Sequence, residues 1–189
     1  MRTFLGPRSG PVPPSRPSTI PPARAGAGFP FAEELDRARS FDEIYRVVRR
    51  AVRDRLGQER PGLGLGLADL PPSLGAYWQV TGNLIVMNDA LLRMMRATAE
   101  SPRQYNSFVF VILAHEYLHA LGYLEEGAVR PVTAQVARAA FGADHPATRM
   151  AEGDLWRMFP WLQYARGGDG QTVRVVRGFD LESTNNYIR

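Results

Sequence analysis

Two histidines one helical turn apart are the residues of this 189-residue chain best suited to chemistry. His115 and His119 lie four positions apart in the segment HEYLH. Side chains at that spacing share one face of a helix, so both imidazoles can reach one tetrahedral metal ion. Glu116 lies about 100° around the helix axis, where it can hold a water molecule beside the ion. The motif predicts a zinc centre with Glu116 as its general base.

The helix predicted to carry this motif is apolar on all sides. Ser101, Pro102 and Gln104 are typical of a helix start, and Gly122 is typical of a helix end. Residues 108–114 between them are all apolar, so this helix must be buried on every face. Two imidazoles and a carboxylate would be costly to bury without a partner, which favours a metal site over ordinary core histidines.

HEYLH and the six residues after it resemble the extended signature of the metzincin clan of zinc metallopeptidases, His-Glu-x-x-His-x-x-Gly-x-x-His/Asp. The resemblance implies that Gly122 lets the chain turn beneath the metal and that position 125 supplies the third ligand. That position holds Glu125 rather than His or Asp. A Glu third ligand is the habit of the gluzincins, in which it lies on a separate, later helix.

The third ligand is therefore open among four residues. The turn spacing favours Glu125. His145 is the only other imidazole in the chain, although a helix of about 14 residues would carry the chain about 20 Å from the metal before reaching it. Glu126 and Glu152 are the acids that the gluzincin arrangement would use.

The zincin resemblance implies hydrolysis of a peptide or protein substrate with Zn²⁺ as cofactor. His115, His119 and Glu125 would hold the metal, and Glu116 would take a proton from the attacking water and return it to the leaving amine. Candidate donors to the carbonyl oxygen are Tyr123, Tyr164 and Tyr187. The strand predicted at residues 84–87 could serve as a sheet edge along which an extended peptide adds.

Two other functions stay open. Leu121, Gly122 and Tyr123 also resemble the turn of the bacterial rRNA-maturation endoribonucleases, whose motif is His-x-x-x-His-x-x-Gly-x-x-His. That family usually lacks an acid after the first His, so Glu116 favours a peptidase. A metal-stabilised scaffold that binds partners without turnover is the third alternative.

Charge and composition exclude several classes of protein. The net charge of +4 lies in residues 1–30, which hold four Arg and no acid, whereas residues 31–189 hold 19 Arg and 19 acids. A neutral folded part argues against a nucleic-acid surface. The absence of cysteine excludes disulfide scaffolds and thiolate metal sites and fits a cytoplasmic location. No apolar stretch approaches the roughly 20 residues of a membrane span.

The pattern along the chain predicts an α+β fold. Pro-rich residues 1–30 predict a disordered tail, and residues 31–189 predict a single zincin-like domain. Its buried active-site helix would pack with other helices on a short, mostly antiparallel sheet. The predicted helices span 41–56, 89–99, 102–121, 128–141 and 146–159, and the predicted strands span 63–67, 76–80, 84–87 and 172–176, with a hairpin turn at 81–83.

Overall fold

The computed structural model describes residue 29, residues 31–80 and residues 82–179. The predicted tail, apart from Phe29, and Tyr187 lie outside these residues. The helices are α1 (Ala32–Arg37), α2 (Phe41–Leu56), α3 (Asp89–Thr98), α4 (Pro102–Ala120), α5 (Glu126–Phe141), α6 (Pro146–Glu152) and α7 (Leu155–Met158), with a 3-10 turn at Pro160–Tyr164. The strands are β1 (Gly64–Ala68), β2 (Ala76–Trp78), β3 (Leu84–Asn88) and β4 (Arg174–Val175). The predicted α+β class is confirmed.

The four strands form one mixed sheet in the order β2-β3-β1-β4. β2 and β3 form the predicted antiparallel hairpin, β1 pairs with β4 antiparallel, and β1 pairs with β3 in parallel. Because β3 lies between β2 and β1, residues 84–87 form an interior strand and not a sheet edge to which a peptide could add. β2 takes the edge position beside β3 instead.

Helix α4 is the centre of the domain. It contacts α1, α2, α3, α5 and α6 and also strands β2 and β3. Residues 108–114 are at most 8% exposed, as their apolar character predicts. The Ser101 side chain accepts a hydrogen bond from the Gln104 backbone N–H at the start of α4, and Pro102 occupies its first turn. Both the limits and the burial of the motif-bearing helix therefore follow from local sequence.

Two helix boundaries differ from the prediction in ways that shape the site. Helix α5 begins at Glu126, two residues earlier than expected. The helix predicted over 146–159 is divided into α6 and α7, because Gly153 is extended and the Asp154 side chain accepts hydrogen bonds at the start of α7. Within the part of the chain that the structure describes, no helix combines the length and apolarity that crossing a bilayer requires.

Asn88, at the end of β3, fixes the loop that leads into β2. Its side chain is fully buried and its Nδ2 donates to the backbone oxygens of Leu70, Pro71 and Leu74. Its Oδ1 accepts from the Ala90 N–H and caps α3. Burying these backbone groups unpaired would be costly, so one amide side chain holds the start of the edge strand in place.

Candidate metal centre

His115, His119 and Glu126 bring their side-chain ligand atoms together at the carboxyl-terminal end of α4 and the first residue of α5. The two Nε2 atoms lie 3.2 Å apart. The Glu126 carboxylate lies 3.2 Å from the His119 Nε2 through Oε1 and 3.3 Å from the His115 Nε2 through Oε2. Ligands about 2.0–2.1 Å from a tetrahedral zinc ion lie about 3.3 Å from one another. The three side chains fit a zinc ion in both chemistry and spacing.

The turn after α4 orients His119. The Nδ1 of His119 lies 2.8 Å from the backbone oxygen of Tyr123. A carbonyl oxygen only accepts, so Nδ1 carries the proton and the lone pair of Nε2 faces the other two ligands. Gly122, at φ +101°, makes the turn that returns Tyr123 to the helix end. The position of Gly122 in the motif therefore determines how the His119 ring is oriented.

Burial and neighbouring charges shift the pKa values of two of these side chains toward the forms that could bind a cation. Burial lowers the pKa of His115, the nearby Glu126 carboxylate opposes this, and Arg130 acts in the same direction as burial. Burial alone would raise the pKa of Glu126, but the two imidazoles outweigh it and hold that pKa below its usual value. Neutral imidazole and ionised carboxylate are the forms that bind zinc.

Among the four candidate third ligands, the described residues place Glu126 at the histidines. Glu125, which the turn spacing favours, precedes α5 as its N-cap residue, and its side chain makes no capping hydrogen bond. Neighbouring residues at a helix start point about 100° apart, so only one of the two can face the histidines. Glu152 forms an ion pair with Arg138 instead.

His145 lies away from the metal group, in a polar contact of its own. The residue is 3% exposed, and its imidazole stacks on Phe141. Nδ1 accepts from the Ala147 N–H at 3.1 Å and caps α6, so Nε2 carries the proton and donates to Asp36 Oδ1 at 3.1 Å. His145 is thus a satisfied core histidine in the neutral form.

Acid should weaken the fold through His145. Burial lowers its pKa, opposed by Asp36, so the unfolded chain binds more protons as pH falls below about 6.5. Stability should therefore decrease from pH 7.5 to pH 5.5. Asn at this position keeps a capping oxygen but cannot titrate, so H145N should lose less stability over that interval. Urea unfolding of both proteins at both pH values measures this, and equal losses would show that His145 does not contribute.

Glu116 is buried beside this candidate metal group. This residue of α4 is 7% exposed. Burial raises the pKa of Glu116 to about 7, against the opposing effects of His119 and of a hydrogen bond from the Trp78 backbone on β2. A carboxylate with a pKa near neutrality can both accept and return a proton. Its location at the β2 edge also places it where an extended chain could pass.

Arg60 ties the end of α4 to the β2–β3 turn, a role that the sequence did not reveal. Its guanidinium donates to the Ala120 backbone oxygen at 2.6 Å and to Asn83 Oδ1 at 2.9 Å. It also lies over the Trp78 ring, at 5.2 Å from the ring centroid. These partners are distant from Arg60 in sequence, so no local pattern could have identified them.

A cavity of about 650 Å³ extends from the metal group along α4. His115, Glu116 and Glu126 line one part of it. Its apolar wall includes Phe108, Val111, Ile112, Ala134, Met150 and Trp156, and residues 73–76 border it on the β2 side. An apolar cavity with a few converging polar groups is the usual form of a ligand site.

Searches with family models, curated proteins and solved structures find no match to this chain. Only the geometry and chemistry of the site itself therefore bear on the function of this chain.

Proposed function

We propose that the protein is a zinc-dependent peptidase in a zincin-like domain. The observation that supports this most strongly is the triangle of His115, His119 and Glu126 ligand atoms with the buried Glu116 carboxylate beside it. When bound, zinc would polarise the scissile carbonyl and make a water molecule more acidic. A cytoplasmic location is part of the proposal and is supported by the absence of cysteine.

Glu116 would perform the proton transfers. Its raised pKa suits acceptance of a proton from the attacking water and delivery of that proton to the amine that leaves. The hydrogen bond from the Trp78 backbone would hold the carboxylate in place during both steps. His115, His119 and Glu126 would hold the metal, with Tyr123 orienting His119 through its backbone oxygen.

Strand β2 would align the substrate. The Gln79 N–H donates to Leu84 on β3, so in the alternating antiparallel pattern the backbone groups of Ala76 and Trp78 face away from β3. The Trp78 N–H is bonded to Glu116, so a peptide would bond to the Ala76 N–H and C=O and to the Trp78 C=O. Ala76 and Glu116 both line the cavity. A peptide extended along β2 would therefore pass Glu116 and place one side chain in the apolar cavity.

Removal and restoration of the metal test the proposal. Chelated protein should cleave no peptides from a mixture of defined sequences, and added Zn²⁺ should restore cleavage that mass spectrometry detects as new termini. A structured RNA in the same reactions should stay intact. Zinc-dependent RNA cleavage without peptide cleavage would favour the endoribonuclease alternative. A rise in melting temperature with zinc, but no cleavage of either substrate, would favour the binding scaffold.

A further inference from the structure

Arg130 places a positive charge at the cavity. It lies on α5 one helical turn after Glu126, its side chain is exposed, and it lines the cavity together with His115 and Glu116. Within residues 31–80 and 82–179 its guanidinium makes no hydrogen bond or ion pair. An exposed arginine beside a candidate active site is available to a ligand.

The four acids among the described residues that line this cavity have other partners, and one of them, Glu116, accepts a hydrogen bond from the Trp78 backbone. Glu126, at the i−4 position where it could pair with Arg130, faces the two histidines instead. Glu152 pairs with Arg138, and Asp154 accepts hydrogen bonds from the Trp156 and Arg157 N–H groups. Among the described residues that line the cavity, Arg130 is therefore a positive group that a negatively charged ligand could neutralise.

We propose that Arg130 binds a carboxylate of the substrate while an adjacent apolar side chain occupies the cavity. This inference rests on the proposed peptidase function and names its substrate class. The planar guanidinium can donate two parallel hydrogen bonds to the two oxygens of a carboxylate and neutralise its charge. An amide has one acceptor oxygen and no negative charge, so it would bind more weakly. The carboxylate has two possible sources, the C-terminus of a peptide or an internal Asp or Glu side chain.

Matched peptides distinguish the two sources. One pair has the same apolar sequence with a C-terminal carboxylate or a C-terminal amide, and the other pair has an internal Glu or Gln. In one of the two pairs, the zinc-loaded protein should show a KM roughly tenfold lower for the peptide with the carboxylate than for its amide counterpart, with little change in kcat. R130Q should remove that preference, R130K should retain part of it, and R37Q on α1 should leave it unchanged.

A binding measurement separates this inference from the proposed function. Trp156 lines the cavity, so its fluorescence can report the binding of N-acetylphenylalanine and of the corresponding amide to zinc-loaded full-length protein. If wild type but not R130Q bound the acid more tightly than the amide, carboxylate recognition would be supported even if no peptide were cleaved. The absence of cleavage would reject only the proposed peptidase function.

Two results would overturn the inference while leaving the peptidase function intact. The first is peptide cleavage with no preference for either carboxylate. The second is a preference that persists in R130Q, which would show that another group, such as the metal, binds the carboxylate. Since Arg130 is exposed, R130Q should fold like wild type, and unchanged melting temperatures would confirm that the comparison is valid.

Discussion

Replacement of Glu116 by glutamine should abolish peptide hydrolysis and leave zinc bound. Glutamine has nearly the same shape, and its side-chain oxygen can still accept the hydrogen bond from the Trp78 backbone. It cannot take a proton from water. General-base catalysis contributes roughly a hundredfold to ten-thousandfold, so kcat should fall by about that factor. The metal should remain because Glu116 is not among the three residues whose ligand atoms meet.

Zinc content, melting temperature and kcat measured on the same preparations test this prediction. E33Q is the matched control, since Glu33 is an exposed acid that pairs with Arg37 on α1. It should behave as wild type in all three measurements. If E116Q kept its activity to within a few-fold, Glu116 would not be the general base. If E116Q lost its zinc as well as its activity, its role would be to hold the site together.

Helix α4 was predictable because its signals are local. Its start depends on Ser101 and Pro102, its end on the turn at Gly122, and its burial on an apolar run that leaves no polar face. The spacing of His115 and His119 then follows from helix geometry alone. For the same reason, the β2–β3 hairpin was predictable from the short connection between its strands.

The order of the strands was not predictable in the same way. Whether β3 lies inside the sheet depends on its parallel pairing with β1, about 20 residues earlier in the sequence. The division between α6 and α7 did have a local signal, since Gly153 followed by Asp154 is a helix end followed by a helix start. The apolar residues on both sides obscured it.

The side-chain contacts around the site were the hardest features to predict from sequence. Arg60 contacts the end of α4 although the two are 60 positions apart in sequence. Arg130 is of interest only because the acids near it are bonded to other groups. No local sequence pattern indicates either of these features. The sequence also could not decide between Glu125 and Glu126 as third ligand, because that choice depends on where α5 begins and how it packs on α4.

Substitution of Glu126 by alanine should therefore weaken zinc binding strongly, and E125A should not. Loss of a hydrogen-bond partner of a ligand already costs roughly 10- to 100-fold in metal affinity, so loss of a ligand should cost at least as much. The Glu125 side chain makes no capping hydrogen bond and is exposed, so its removal should change neither stability nor affinity appreciably.

Competition with a zinc-binding dye gives the affinities of wild type, E126A and E125A, and the rise in melting temperature on adding zinc gives an independent measure. Wild type and E125A should show the same rise, whereas E126A should show a much smaller one. H145N and E152Q should match E125A, because His145 is bonded to Asp36 and Glu152 to Arg138. If E125A lost its zinc while E126A retained it, the metal would be held by the ligand that the turn spacing favours, and α5 would have to begin differently once zinc is bound.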